Sequence, residues 1–415
     1  MKTIFLIFLI FTNIFAISFK GKVIDSITKE PIVNAKISDS NQTLRSNTFG
    51  HFVLDSEEEK GFIKAYGYRP KSFKLSNLSQ IIEVTPIKIR ALYLNFWGAK
   101  VDSKTFEKVL KIIDETEVNS VVVDIKSVLG LTSYKTSYEK ANSYGAWHKR
   151  SIKNIQEFMN ILKSKNVYTI ARLATFKDDL QATNNPEYAI KTKDGEIWRN
   201  HDGVAWVDPY DKRSHIYTIE IAKDVASIGF DEVNFDFIRF PARRGLVFSK
   251  NNTQENREKA IDDFLSLAQN ELRKYGVFIS VDTYGLVCWN KTDTGIGQTI
   301  EGLSRNADYI CPMLYPSGFS SSYFNVKNPA DYPHKVIYES IDNVVDKIDL
   351  ARLRPWLQHF QDYTQTKRLY LKKEIQDQIR ASDEHNTNGW MMWSPSSRYK
   401  QKYFEVPTIS KIDSE

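Results

Sequence analysis

From Phe19 to about residue 86, apolar and polar positions alternate in short runs: Phe19-Lys-Gly-Lys-Val23, Ala35-Lys-Ile37, Phe52-Val-Leu54 and Phe62-Ile-Lys-Ala65. Turn-forming stretches such as Asp25-Ser26, Ser38-Asp-Ser-Asn41 and Glu57-Glu-Glu-Lys-Gly61 separate them. A period of two, interrupted at this spacing, predicts a small all-β sandwich over residues 17–86. From Ile87 the rhythm becomes strand, then helix, repeated. Apolar strands are expected at Ile89–Trp97, Val118–Lys126, Val167–Phe176, Phe230–Phe240, Val277–Tyr284, Tyr309–Tyr315, Leu353–Gln358 and Gly389–Ser394. The first helix opens on the N-cap types Asp102-Ser103 and places Phe106, Val109, Leu110 and Ile113 on one face. Another, Glu255–Lys274, turns Ile261, Phe264, Leu265, Ala268 and Leu272 inward. Eight such units predict a (β/α)8 TIM barrel over residues 87–415. A doubly wound open sheet would want a Gly-rich turn after its first strand, where only Gly98 stands. The expected class is thus α/β, a TIM barrel preceded by a small all-β sandwich.

Residues 1–16 stand apart. Met1-Lys2 precedes an apolar run from Ile4 that ends at Phe15-Ala16, shorter than the ~20 residues a bilayer span needs. A Lys before the run and a small residue at its end predict a signal peptide cut after Ala16. The mature chain would then be periplasmic or secreted, without a stable membrane span; an uncleaved anchor is the other reading. Cys288 and Cys311, the two cysteines of the 415 residues, could pair in that compartment or stay as buried thiols. A chain 41% hydrophobic and 26% charged excludes collagen-like, disordered and polytopic membrane classes. Seven scattered His, without His-x-His or His-Glu-x-x-His, argue against a zinc hydrolase, so neither metal nor cofactor is expected. The formal charge of +6 is spread along the chain. That suits an anionic envelope polymer as a partner and is not a nucleic-acid footprint.

Strand parity locates the candidate chemistry. Residues two apart share a face, and barrel active sites lie at the C-terminal strand ends. In the fourth barrel strand Asn234 and Asp236 point inward, while Phe235 and Phe237 pack against helices. The fifth turns Ser280 and Asp282 inward against Ile279 and Val281, the second Asp124 and Lys126, and the third Arg172. Inward carboxylates are costly unless paired or used. One reading is an Asp124–Arg172 ion pair that plugs the mouth. The other is glycoside hydrolysis, which needs an ionised and a protonated carboxyl side by side. Trp97, Trp198, Trp206, Tyr210, Tyr284, Tyr315, Trp356, Trp390 and Trp393 fall near the same strand ends and suit the flat faces of sugars. The connection from Lys177 to about Asp211 is long enough to be a lid.

Two stretches resemble known families. Gly21-Lys-Val-Ile-Asp25, Pro31-Ile-Val-Asn-Ala35 and Thr48-Phe-Gly-His-Phe52 are similar to the carboxypeptidase regulatory-like (transthyretin-like) sandwich, which implies a spacer or accessory module. The second resemblance runs from about 89 to 400. Its blocks include Asp124-Ile-Lys126, Ala171-Arg-Leu-Ala-Thr-Phe-Lys-Asp178, Trp206-Val-Asp-Pro-Tyr210 and Gly229-Phe-Asp-Glu-Val-Asn-Phe-Asp-Phe-Ile-Arg-Phe-Pro241. Cys311-Pro-Met-Leu-Tyr-Pro-Ser317, Arg354-Pro-Trp-Leu-Gln358 and Gly389-Trp-Met-Met-Trp393 complete it. Together they resemble the bacterial TIM-barrel family described as putative glycosyl hydrolases, a domain of unknown function. The resemblance implies a relation to α-amylase-like retaining glycosidases, with a nucleophilic Asp ending strand four and an acid/base carboxylate ending strand five. Those positions are Asp236 and Asp282. The sequence departs from the pattern at Asn234 (Arg in amylase-type sites), Gly318 (often His) and His359 (an acid). The expected activity is hydrolysis of an envelope or extracellular polysaccharide. Asp124, Lys126, Arg172, Trp97, Trp206, Asp208, Arg239, Tyr284, Tyr315, Trp356, Gln358 and Trp393 would contact the substrate. Glu232, near the start of its strand, is set aside. A glycan-binding barrel without catalysis, with the sandwich as a second binding module, is the alternative. A metal-dependent deacetylase or amidohydrolase lacks its His ligands.

Overall fold

Seven strands make up the first region: β1 (Ile17–Asp25), β2 (Lys36–Ser38), β3 (Thr43–Arg45), β4 (His51–Ser56), β5 (Lys60–Lys64), β6 (Lys71–Lys74) and β7 (Gln80–Val84). They form a three-stranded sheet ordered β4-β1-β7 and a four-stranded sheet ordered β3-β2-β5-β6. In the longer strands alternate residues are buried, as in His51–Ser56, so each sheet has one apolar face to cover. Phe19, Phe52 and Phe73 meet there with ring centroids 5.2–5.9 Å apart, surrounded by Val23, Ile37, Leu54, Ile63 and Val84. The computed structural model describes residues 17–406 except 77 and 365. The expected signal peptide at 1–16 lies outside the described residues.

Eight parallel strands then close into a barrel. They are β8 (Ile89–Leu94), β9 (Ser120–Lys126), β10 (Tyr168–Ala174), β11 (Glu232–Asp236), β12 (Phe278–Tyr284), β13 (Tyr309–Met313), β14 (Trp356–Gln358) and β15 (Gly389–Trp393). Outward residues such as Val121, Val123, Leu173, Phe235, Ile279 and Val281 join the helices in one large core. Inward residues, among them Val122, Tyr168, Ile170, Phe278 and Met391, fill the barrel itself. The helix Lys104–Glu115 starts where the Ser103 hydroxyl accepts from Phe106 N, and Gln254–Leu272 buries the five apolar residues its spacing predicts. The seam closes where β15 pairs with β8. Gly389 sits there at φ 79°, and a Cβ would come within 1.7 Å of the Ile89 carbonyl oxygen, so no other residue fits.

The sandwich covers the N-terminal end of the barrel. Lys36 and Lys64 reach Asp308, just before β13, at 2.5 and 2.8 Å. Lys64 also donates to the Val277 carbonyl (3.0 Å) and Arg69 to that of Asn166 (2.6 Å). Burial opposes ionisation of Asp308, yet the two ammonium groups hold its carboxyl well below the usual range. At Lys64 burial wins over the carboxylate and lowers the pKa. Just inside this end, Arg354 and Glu232 pair at 2.9 Å, both fully buried, and Tyr168 donates to Glu232. Glu232 is thereby a floor residue, far from the strand ends that matter for chemistry.

One strand ends earlier than expected. β11 stops at Asp236, because Phe237 adopts φ 51° and donates its N–H to Asp236 Oδ1 at 2.6 Å. A left-handed aromatic residue is backbone strain, and such strain concentrates at functional sites.

Candidate active site

At the C-terminal mouth Arg172, on β10, lies between acids from its two neighbouring strands. Its Nη1 donates to Asp124 Oδ1 at 2.5 Å, and its Nε (3.1 Å) and Nη2 both donate to Asp236 Oδ2. All three side chains are buried. Asp282, on β12, makes no ion pair among the described residues. Its Oδ1 accepts from Trp356 Nε1 at 2.7 Å and from Asn234 Nδ2 at 2.9 Å. Burial, with the nearby negative charge of Asp236 added, pushes the Asp282 carboxyl well above its ordinary pKa. Burial likewise raises Asp124, against the pull of Arg172. Two carboxyls on adjacent strands thus sit in opposite surroundings, Asp236 ion-paired with Arg172 and Asp282 in a site that opposes its ionisation.

Aromatic rings wall this cluster. Trp393 stacks on Tyr93 with centroids 4.0 Å apart and crosses Trp356 at 5.7 Å, while Arg172 lies 5.6 Å from the Trp393 ring. Tyr315 feels the charges of Asp282 and Asp236, and burial raises its hydroxyl. On the far side Arg239 is packed among Tyr284, Trp206 and Phe237 at 4.4, 5.0 and 5.4 Å. Trp97, 61% exposed, stands on the rim. Phe237 is here too, its ring against Trp206, instead of against the helices as parity predicts.

Four expectations are corrected. Lys126 does not face the mouth: an irregularity in the β9–β10 register pairs Lys126 with outward-facing Leu173, so the side chain turns outward to Asp178 (2.7 Å) and is fully buried. Asp208 spends both oxygens on the backbone N–H groups of Tyr210 (3.0 Å) and Ser249 (2.6 Å), which pins the long connection. Gln358 is fully buried and tied to Ser317 through both ends of its amide. Trp390 points into the outer core, near Phe404. Tyr93 went unnamed in the sequence reading; its signal was available, since it shares inward parity with Ile89 and Ala91. Cys288 and Cys311 are free, buried thiols. The described residues contain no group of three or more His, Cys, Asp or Glu able to hold a metal ion, and no helix long and apolar enough to cross a membrane.

Residues 91–399 match the family model described as a putative glycosyl hydrolase domain. The chain belongs to this family. A comparison with curated proteins finds no match. Among solved structures, the glycoside hydrolase domain of PgaB (BpsB) from Bordetella bronchiseptica shares the barrel fold. It is 12% identical with a TM-score of 0.55, over 75% of this chain and 95% of that one. A hypothetical protein from Ruminiclostridium thermocellum is 34% identical over 46% of this chain and 96% of its own, with a TM-score of 0.41. The spore cortex-lytic enzyme SleL of Bacillus megaterium is 12% identical over 78% and 74%, at 0.48.

The positions where the chain departs from the expected pattern can be placed. Asn234 is the register partner of Arg172, so the guanidinium absent from β11 arrives from β10 and reaches the same Asp236. His359 is packed against Tyr399 and Tyr403, and burial lowers it to about 4, so it is neutral. Gly318 is an exposed turn residue near the Tyr363 hydroxyl.

Proposed function

We propose that the chain is an exported glycoside hydrolase cleaving an envelope or extracellular polysaccharide by a two-carboxylate, retaining mechanism. The observation that carries the reading is the contrast between Asp236 and Asp282. Asp236, oriented by Arg172 and by the Phe237 N–H, attacks the anomeric carbon. Asp282, whose burial beside Asp236 favours the protonated form, gives its proton to the departing glycosidic oxygen. Water then hydrolyses the glycosyl-Asp236 ester, and Asp282 takes back a proton from it. Asp124 shares Arg172 and holds the guanidinium in place. Trp393, Tyr315 and Tyr284 offer ring surface for the sugar. Export is supported by the apolar run before Ala16.

Proton NMR of the first product formed from a polysaccharide hydrolysate tests the stereochemistry: retention supports the mechanism, and inversion assigns Asp236 to water activation. Mass spectrometry after incubation with 2-deoxy-2-fluoro glycosides tests the covalent step. Labelling at a residue other than Asp236 would overturn the assignment of the nucleophile.

A further inference from the structure

We infer that the substrate is an acidic polysaccharide, with Arg239 meeting the charge of the sugar at the cleavage point and a basic groove beside the mouth meeting its neighbours. The inference rests on the hydrolase reading for the word substrate, but its geometry stands separately. Arg239 is 92% buried and, among the described residues, has no carboxylate partner. Its one hydrogen bond goes from Nη1 to the Phe240 carbonyl at 3.0 Å. Three rings pack around the guanidinium, leaving most of its in-plane N–H donors unused. A buried, unpaired guanidinium is expensive to keep. It is also the wrong charge to place near a centre where a glycosidase develops an oxocarbenium cation. A carboxylate on the sugar removes both objections, because the guanidinium fork takes it in charge-assisted hydrogen bonds.

The second observation lies across the mouth from the first, since β11 and β15 stand opposite one another in the barrel. A cavity of about 910 Å³ runs along the rim between the helix Lys104–Glu115 and the segments that follow β14 and β15. Lys104, Lys108, Arg398 and Lys400 line it, all exposed, with no Asp or Glu in its wall. None of the four makes an ion pair among the described residues. The groove adjoins the mouth: Phe360, in its wall, packs on Tyr315 at 5.6 Å, and Ser394 directly follows Trp393. Four cations without an acid among them suit a chain of acidic sugars better than a nucleic acid, because the wall tyrosines Tyr370, Tyr399 and Tyr403 are buried and present no series of open faces for bases to stack on.

The test is a titration of the full chain carrying Asp236→Asn, which binds without turnover. The probes are oligomers of polygalacturonate, polymannuronate and hyaluronan, each beside its carboxyl-reduced, neutral counterpart. The inference expects at least one acidic oligomer to bind about tenfold to a hundredfold tighter than its reduced form. That preference should weaken with salt. Arg239→Gln should erase most of it, and Lys104→Gln with Lys108→Gln and Arg398→Gln, all at exposed positions, should flatten the salt dependence. No preference in any pair, or equal binding of a single-stranded DNA of matched charge, overturns the inference. Wild-type turnover separates the two readings. Acid-selective binding without cleavage of any oligomer sinks the hydrolase and leaves the binding site. Cleavage of a reduced polymer as fast as its acidic parent does the reverse.

Discussion

The two ends of the barrel both bury charge, and they treat it differently. At the floor each buried ion has its partner: Arg354 with Glu232, and Lys36 and Lys64 with Asp308. At the mouth Asp124 and Asp236 share one arginine, Asp282 has no cation, and Arg239 has no anion among the described residues. Matched charges fix the sandwich and the strands in place. Unmatched ones cost stability and persist where a ligand or a proton completes them.

Asp236→Asn breaks the comparison most sharply. Turnover should fall by more than about 10⁴-fold while the melting temperature barely moves, because Arg172 keeps Asp124. Steady-state kinetics beside calorimetry checks both halves. The neighbouring substitution, Asp282→Asn, should cost roughly 10²–10⁴-fold in turnover and yet raise stability by about 0.5–2 kcal/mol. The sign follows from the raised pKa: above the unfolded carboxyl value, burial of Asp282 works against folding, and more so as pH rises. In the same variant the alkaline limb of the activity profile should disappear; a retained limb would assign it to another group. At the floor Glu232→Gln should do the opposite, costing about 3–5 kcal/mol of stability by stranding Arg354, with an unchanged pH–activity profile.

Acid offers a gentler probe of the same contrast. The lowered Asp308 pKa contributes stability that is complete above the unfolded carboxyl value of about 3.9 and is lost as pH falls below it. Protection factors of the Lys36 and Lys64 amides, corrected for the intrinsic exchange rate at each pH, should therefore fall below about pH 4 in wild type, and that added acid sensitivity should vanish in Asp308→Asn. Smallest of all, Trp97→Ala on the exposed rim should weaken oligosaccharide binding by about 1 kcal/mol and leave turnover at saturation alone.

The periodicity of the chain carried the architecture, because burial on one face or both writes itself into spacing. Val121, Val123, Ile279 and Val281 read outward and pack outward; Asp124, Asp236 and Asp282 read inward and lie in the barrel mouth. What spacing could not carry was every departure from a straight strand. The irregular register of β9 reverses Lys126, and the left-handed Phe237 ends β11 at the residue directly after Asp236, the last that parity places correctly. Asp208 and Gln358 have the chemistry of binding residues, and only the positions of the backbone groups they satisfy show them to be braces.

Closure at Gly389 has a kinetic meaning as well as a steric one. The first and last barrel strands lie about 300 residues apart in sequence, so their pairing is among the most non-local contacts in the protein. Until it forms, β8 and β15 are open edges able to pair with other chains. Tyr93 on one edge and Trp393 on the other cannot stack until the seam shuts, so the wall beside Arg172 is completed only at closure. Gly389→Ala should therefore act on the yield of soluble protein far more than on the catalytic constants of the molecules that do close.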